Sequence, residues 1–386
     1  MKLTILSHSL SSNAAMRAYR LAQAARTFSD AELLGPVKDS GPWPGLPKES
    51  WIRTVRYKRF PRFFKSFASL AEAADGDVLI AVKPYLASFG VALVEAERRQ
   101  APVILDLDDL DVAFRPPSMW PSHPELVDLA QPKSAIYVSL LTKAAVAADA
   151  ITVSSTALQQ RFGGTIIPHG ADTGLFNPVG VDRDSARRAV GFNGPTVLFA
   201  GTPNPHKGLE VLGRAVARLA GVRVAVTCRD TDLAGANWSA LPLQRIPVVP
   251  YSSVPALLAA ADVVAIPQLE SEVTRYQMPM KVFDAMAMGK PIVASAVSDL
   301  PHVLDGCGLL VPPGDVEGFA GAIGYLLSNP AEARMLGDRA RARCVETYTI
   351  GQIGNSLCDI VRSVSTRPLT SSLEHPAAKS ITAADL

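Results

Sequence analysis

In the stretch VLFAGTPNPHKGLEVL, a run of strand-forming residues ends at Gly201, a proline-rich turn follows, and Lys207-Gly208 opens an amphipathic helix pattern. A helix start offers unpaired N–H groups and a partial positive charge, and a lysine beside it suits a diphosphate. The plainer reading is a solvated lysine at a helix start. A second concentration of chemistry lies in IPQLESEVTRYQMPMKVFDAMAMGKPIVAS. There a strand ends near Pro267, an irregular loop carries Glu270, Glu272, Arg275 and Lys281, and a helix beginning near Met280 bears Asp284. A charged loop that feeds a helix start is a natural site for a sugar and its phosphates; its plainer reading is a mobile surface loop. In PVILDLDDLD the carboxylates Asp106, Asp108, Asp109 and Asp111 gather at a strand end, a set that hard cations favour. Lys83 stands just past the DVLIAVK strand and faces the same way. After the first strand, SHSLSSNAAMRA offers Ser11, Ser12 and Asn13 as hydrogen-bond donors, although Ser12 or Asn13 is equally suited to cap the following helix.

Residues of this kind matter only if the elements place them together, and the sequence predicts elements that do. LTILS, WIRTVRY, DVLIAVK, PVILDLD, AITVSS and TIIPHG read as strands, several without polar alternation, as buried parallel strands do. Helical patterns such as AAMRAYRLAQAA and LASFGVALVEAERR separate them, so right-handed β-α-β units are the simplest assembly. The pattern restarts after a polar, glycine-containing stretch. TVLFAG, VRVAVTC, LQRIPVVP, DVVAIPQ, PIVASA and CGLLVPP are the strands of a second unit. The fold class is therefore α/β, with two Rossmann-like domains facing each other across a cleft. The expected division is a first domain over 1–178, a linker over 179–194, a second domain over 195–348, a C-terminal helix over 349–365 that crosses back to the first domain, and a disordered tail over 366–386. In open α/β sheets, ligands bind beyond the carboxyl ends of the strands, where the residues named above fall.

Bulk properties agree with this division. The 386 residues are too many for one ordinary core. Hydrophobic residues make up 48% and charged residues 19%, which fits a well-buried α/β protein. A formal charge of +2 argues against a general nucleic-acid binder. Four scattered cysteines with no CxxC pair suggest neither a disulfide framework nor a zinc site, so a cytoplasmic setting is expected. MKLTILSHSL has too short an apolar run for a signal peptide, and no run reaches the roughly 18 apolar residues of a membrane span.

Taken together, FAGTPNPHKGLEVL, VVPYSSVPALLAAADVVAIP, PMKVFDAMAMGKPIVAS, GLLVPPGD and IIPHGADTGLFNP resemble the family 4 retaining glycosyltransferases of the type B fold. The match runs in order from about Ala150 to about Tyr348. It implies transfer of a sugar from a nucleotide-diphosphate donor to an acceptor with retention of configuration, and no metal or other cofactor. By the same resemblance, Lys207 with Gly201, Thr202 and Gly208 meets the donor diphosphate, and the backbone from Val249 to Tyr251 meets the base. Asp284 stands where the second glutamate of the family's E-x7-E pattern contacts the ribose. Tyr276 replaces the first glutamate, so Glu270 or Glu272 is expected to substitute. The family's arginine after the strand-end glycine is also missing, and Arg275 and Lys281 are the candidates for its charge, with the amides opening the Met280 helix. On the acceptor side the resemblance implies Ser11, Ser12, Asn13, Lys83 and either Asp106 or Asp108, one of which orients an acceptor hydroxyl. His169 replaces an asparagine in a turn leading to the hinge. Two other readings stand beside this one: a catalytically silent nucleotide-sugar binder, which the altered pattern suggests, and a sugar-nucleotide epimerase, which shares the two-domain architecture but whose motifs fit less well.

The acceptor itself is not legible, but WIRTVRYKRFPRFFKSF, residues 51–67, holds six basic residues interleaved with aromatics and no acidic one. Such a segment suits an anionic membrane surface, with a lipid-linked or anionic acceptor at the inner face. The competing reading is an ordinary strand and helix, with aromatics in the core and basic residues in solvent.

Overall fold

The computed structural model describes residues 1–199, 201–229 and 240–366. Strands β1 (Lys2–Ser7), β2 (Asp30–Val37), β3 (Ile52–Arg56), β4 (Val78–Val82), β5 (Val103–Leu107), β6 (Ala150–Val153) and β7 (Thr165–Ile166) form one sheet in the order β3-β2-β1-β4-β5-β6-β7. Every neighbouring pair is parallel. Helices α1 (Ala15–Ala25), α2 (Phe63–Ala73), α3 (Val91–Arg99), α4 (Ala135–Lys143) and α5 (Thr156–Phe162) supply the crossovers. Strands β4 and β5 are buried along their whole length, as an apolar run without alternation requires once helices cover both faces.

The second unit begins with α6 (Arg183–Val190) and continues through β8 (Thr196–Phe199), α7 (Leu209–Val216), β9 (Arg223–Thr227), β10 (Leu243–Ile246), α8 (Val254–Ala260) and β11 (Val263–Ile266). It is completed by α9 (Glu272–Tyr276), α10 (Lys281–Ala287), β12 (Ile292–Ser295), α11 (Leu300–Val303), β13 (Leu309–Val311), α12 (Val316–Ser328) and α13 (Pro330–Thr347). Its sheet is also all parallel, in the order β10-β9-β8-β11-β12-β13. Each sheet thus reverses strand order once, at β1/β4 and at β8/β11, and these switch points open the crevices that hold ligands.

The chain crosses between the units at two adjacent places. Ala171 N donates to Tyr348 O at 2.7 Å and Ile350 N donates to Ala171 O at 3.0 Å. Past this bridge α14 (Ile350–Ser365) returns to pack on α1. Gly354 permits that contact: a Cβ there would meet Ala24 O at 2.8 Å. Residues 179–194, read as a linker, form α6, which Arg187 fastens to the second unit through Ala260 O at 2.8 Å and Asp262 Oδ2 at 3.0 Å. The tail expected to be disordered lies, from residue 367 on, outside the described residues.

Three local expectations need correction. Strand β2 was not foreseen, because DAELLGPV carries Glu32, Gly35 and Pro36, residues that speak against an internal strand. Its place beside β1 is nevertheless specific, since a side chain at Gly35 would meet Ser7 O at 2.9 Å. Neither Ser12 nor Asn13 caps α1; Ala14 holds the N-cap position without a side-chain hydrogen bond. Residues 271–276 are not irregular: Ser271 and Thr274 form a reciprocal capping box that starts α9, which therefore contains Glu272 and Arg275.

Candidate active site

The floor of the cleft on the first unit is set by α1, a helix apolar almost all round that nonetheless buries Arg17 and Arg20. Arg17 spends its whole guanidinium on the ends of β5 and β7. Its Nη2 donates to Asp106 Oδ1 at 2.7 Å and to Ile167 O at 2.8 Å, and its Nε donates to Asp106 Oδ2 at 3.0 Å. Thr152 Oγ1 also donates to Asp106 Oδ1 at 2.7 Å. Asp106 is fully buried, so its carboxylate anchors the sheet edge beneath the cleft and does not reach into it.

The next carboxylates do line the cleft. His169 Nε2 lies 3.1 Å from Asp108 Oδ1, and Lys83 reaches Asp109, Asp111 at 3.5 Å and Asp108 at 3.9 Å. Burial alone would push the Asp108 carboxyl up, but His169, Lys83 and Arg17 outweigh it and hold the group well below the usual carboxylate range. Burial likewise opposes the charge on Lys83, yet its three aspartates carry its pKa well above the ordinary lysine value. Asp111 shifts the other way, raised by burial despite Lys83 and with Asp109 adding to the rise, and it accepts a hydrogen bond from Tyr85 Oη at 2.8 Å. The charge that balances these carboxylates is therefore an ammonium. No group of His, Cys, Asp and Glu among the described residues is arranged to hold a metal ion.

Facing this cluster, the β8–α7 turn presents Lys207. Gly208 has φ of 68°, and a Cβ there would lie 1.9 Å from Pro267 O, so only glycine lets the turn close on the end of β11. The turn folds Lys207 back until its Nζ stands 3.5 Å from where a Gly201 side chain would begin. Lys207 makes no ion pair within 4 Å among the described residues. Burial lowers its pKa, Asp109 across the cleft partly offsets this, and Lys281 adds to the lowering. Lys281 is lowered for the same first reason, with Asp284 opposing. Nearby, His206 Nε2, Gln268 Oε1 and Asp284 Oδ2 are buried without a hydrogen-bond partner among the described residues. Thr202 is half-buried beside Lys207.

Several bonds between buried or half-buried groups join the units. Gln277 Nε2 donates to Asp109 Oδ1 at 2.8 Å. Arg20 donates to Asp284 Oδ1, to Gly170 O and, at 3.1 Å, to Tyr251 Oη. Tyr251 is buried and packs edge-on against Tyr19 and Phe176, so its ring belongs to the hinge core, while Val249 is half-buried. Tyr276 also bridges the units: Ser155 Oγ donates to its carbonyl at 3.3 Å and Arg161 reaches its hydroxyl at 3.4 Å. Glu270, Glu272 and Arg275 are exposed, the last stacking over the Tyr276 ring, while Met280 stands half-buried at the N-cap of α10. On the first unit, Ser11 orders its own loop, with Oγ donating to Gly41 O at 2.6 Å and accepting from Lys38 N at 2.9 Å. Ser12 is half-buried and Asn13 exposed.

Residues 194–329 match the family model described as Glycosyl transferases group 1. The chain carries a group 1 glycosyltransferase domain. Its β8–α7 turn, Lys281 and Asp284 all fall within that matched span. Over 222 residues the chain is 33% identical to the MMP alpha-(1->4)-mannosyltransferase of Mycolicibacterium hassiacum, covering 54% of this chain and 50% of that protein. Over 199 residues it is 33% identical to the D-inositol 3-phosphate glycosyltransferase of Mycobacterium avium, covering 48% of this chain and 45% of that protein. The chain thus spans about half the length of these relatives. A sucrose-phosphate synthase from Thermosynechococcus elongatus superposes with a TM-score of 0.71 at 20% identity, over 94% of this chain and 99% of that one. Anabaena HepE in complex with UDP and glucose superposes at 0.70 and 18% identity, over 94% and 100%. The group 1 domain is accordingly the second half of a type B glycosyltransferase fold.

Arg17, Arg20 and Gln277 are the site residues that motif reading passes over. The two arginines did leave a signal, since they are the only charges in an otherwise apolar or small-residue helix pattern, AAMRAYRLAQAA. Gln277 left none.

Proposed function

We propose that the chain is a retaining glycosyltransferase that moves a sugar from a nucleoside-diphosphate donor on the second unit to an acceptor on the first. The observation that carries this reading is Lys207, a cation without an ion pair among the described residues, held by a glycine-dependent turn at one switch point and facing the Asp108–Asp109 carboxylates at the other. Breaking the anomeric bond leaves negative charge on the diphosphate. Lys207 and Lys281 stabilise that charge more in the transition state than in the ground state, with Gly201, Thr202 and Gly208 shaping the cradle and Arg275 at its rim. Asp284 Oδ2 accepts from the ribose, the Val249–Tyr251 backbone meets the base, and Glu270 or Glu272 serves the sugar beside Tyr276 and Met280. On the acceptor side Asp108, tuned by His169 and Lys83, orients the hydroxyl, with Ser12 and Asn13 at the lip; Asp106 acts through Arg17 as a positioning residue. The attacking hydroxyl gives its proton to the departing phosphate on the same face, which retains the configuration.

A panel of UDP- and GDP-sugars incubated with the protein tests the assignment. Slow release of nucleotide and free sugar is the expected result. Nucleotide binding without release would make the chain a silent binder, and conversion to a different sugar would make it an epimerase.

In this reading side chains and backbone amides, Lys207 and Lys281 foremost, hold the diphosphate, so EDTA is expected to leave transfer unchanged. Complete loss restored by magnesium or manganese would overturn that expectation. A pH profile gives an independent check. The charged form of Lys207 is the active one and its pKa lies below the usual lysine value, so kcat/KM is expected to fall as pH rises through that lowered value. A profile that stays flat into the ordinary lysine range would show that Lys207 does not act through its charge.

No helix among the described residues is long and apolar enough to cross a membrane. We place the reaction in the cytoplasm, at the inner membrane face where the acceptor is lipid-linked. Residues 51–67 fold as β3, a turn and α2. Phe63 is buried, Tyr57, Phe60 and Phe67 pack against the same core, and Phe64 is 67% exposed. The segment therefore offers an acceptor chiefly its cations.

A further inference from the structure

Beyond the carboxyl ends of β2 and β3, on the same sheet edge as the carboxylate cluster, lies an open depression of about 810 Å³. Its wall carries Lys38, Lys58, Arg59 and Arg62, with Tyr57 and Gln131 between them. Two of these cations are balanced, Lys58 by Asp39 at 3.5 Å and Arg59 by Asp128 at 2.6 Å. Lys38 and Arg62 have no ion pair among the described residues. Nor does Lys133, whose Nζ sits 6.0 Å above the Tyr57 ring. Uncompensated cations around a concave wall are not what an ordinary solvated face of a nearly neutral chain requires.

A hydrogen bond from the backbone ties the wall of the depression to the acceptor-side loop. Lys38 N is bonded to Ser11 Oγ, in the loop that follows β1. Lys133 stands between the depression and the cluster. Burial pulls its pKa down to about 7, and Lys38, Arg115 and Lys83 push the same way against Asp111 alone. Arg115 in turn donates to Tyr85 Oη at 3.0 Å, beside Asp111. A file of positive groups therefore runs from Lys38 through Lys133 and Arg115 to Lys83. An anion seated at its outer end would favour the charged form of Lys133.

We propose that this depression binds a phosphate or diphosphate group of the acceptor, leaving the acceptor hydroxyl to lie towards Asp108. The inference rests on the transferase reading for the word acceptor, but the anion site itself does not. Lys38 and Arg62, the ammonium and guanidinium of this wall that have no carboxylate partner among the described residues, suit a tetrahedral oxyanion through charge-assisted hydrogen bonds. The phosphate belongs either to a soluble phosphorylated acceptor or to a lipid headgroup, and the two differ in what carries it to the protein.

Inorganic pyrophosphate titrated calorimetrically into the full chain is the direct test. The Lys207→Ala background removes the cation of the donor cradle, and Lys38→Ser with Arg62→Ser, both exposed, removes the unpaired cations of the depression. In the Lys207→Ala protein, pyrophosphate is expected to bind, and the added pair is expected to weaken that binding by about tenfold or more. Equal affinity with and without the pair, in proteins with the same melting temperature, would overturn the site. Slow donor hydrolysis is expected to survive the Lys38→Ser, Arg62→Ser change on its own. If the wild type hydrolyses no donor but the pyrophosphate difference holds, the transferase reading fails and the anion site stands. Co-sedimentation with phosphatidic acid vesicles, lost in the pair variant, assigns the phosphate to a lipid and supports the site. Phosphate binding without sedimentation assigns it to a soluble acceptor and supports it equally.

Discussion

Lys207→Ala is expected to fold as the wild type does and to lower sugar transfer by about a hundredfold or more, the usual cost of removing one donor or charge from a preorganised anion clamp. Folding should survive because the turn depends on other groups. Gly208 closes it against Pro267, Leu269 N donates to His206 O at 2.9 Å, and Lys207 N donates to Asn204 O at 2.9 Å. Only backbone of Lys207 is used. The side chain is held half-buried, without an ion pair among the described residues, and burial disfavours its charge until an anion arrives. That is the condition under which a cation contributes most to a leaving group, because little solvent must be displaced at the moment of bond breaking. Steady-state kinetics on the variant should therefore show the loss in kcat as well as in kcat/KM. A variant with near-normal kcat and KM would remove Lys207 from the mechanism, and a loss confined to KM would make it a binding residue only.

What was legible in the sequence follows from how local each signal is. A strand-end glycine, a turn and Lys207 lie within one short stretch, as do α10 and Asp284, and both are recognisable wherever the remainder of the chain goes. The all-parallel sheets were legible for the same reason, since each buried strand is a contiguous apolar run. β2 escaped because Gly35 and Pro36 interrupt that run, while its fitness for the position comes from the close approach of Ser7. The carboxylate cluster shows the limit in the other direction. Four aspartates in one stretch tempt a metal reading beside the preferred one, an acceptor contact. Their charge partners, Lys83, Arg17 and His169, reach Asp106 to Asp111 from other elements and leave no mark in that stretch. Likewise the aromatics of residues 51–67 carry no mark of which face they occupy; packing places Phe63 inside and Phe64 outside.

Arg20 and Asp284 make the same point across the largest separation, and their pairing yields the second large effect. Asp284 was read from its motif alone as a ribose contact. In the structure its Oδ1 is taken by Arg20 from α1, its Oδ2 lies 3.9 Å from Lys281 Nζ, and both members of the pair are almost wholly buried. Arg20 also donates to Gly170 O at the hinge and to Tyr251 Oη. The pair therefore ties the two units together where the chain crosses between them. Removing one partner leaves the other charge buried, so Arg20→Met and Asp284→Leu are each expected to lower stability by about 3–5 kcal/mol. The double variant, which leaves no orphaned charge, is expected to recover most of that loss, because a buried pair replaced by apolar groups of similar volume is close to neutral. Urea unfolding of the four proteins without nucleotide measures the coupling directly. Nucleotide affinity measured on the same proteins separates the two roles of Asp284. If Oδ2 serves the ribose, affinity falls in Asp284→Leu and stays low in the double variant even as stability returns. Should Asp284→Leu unfold at the wild-type urea concentration, the ion pair contributes nothing to joining the units and the carboxylate serves the ligand alone.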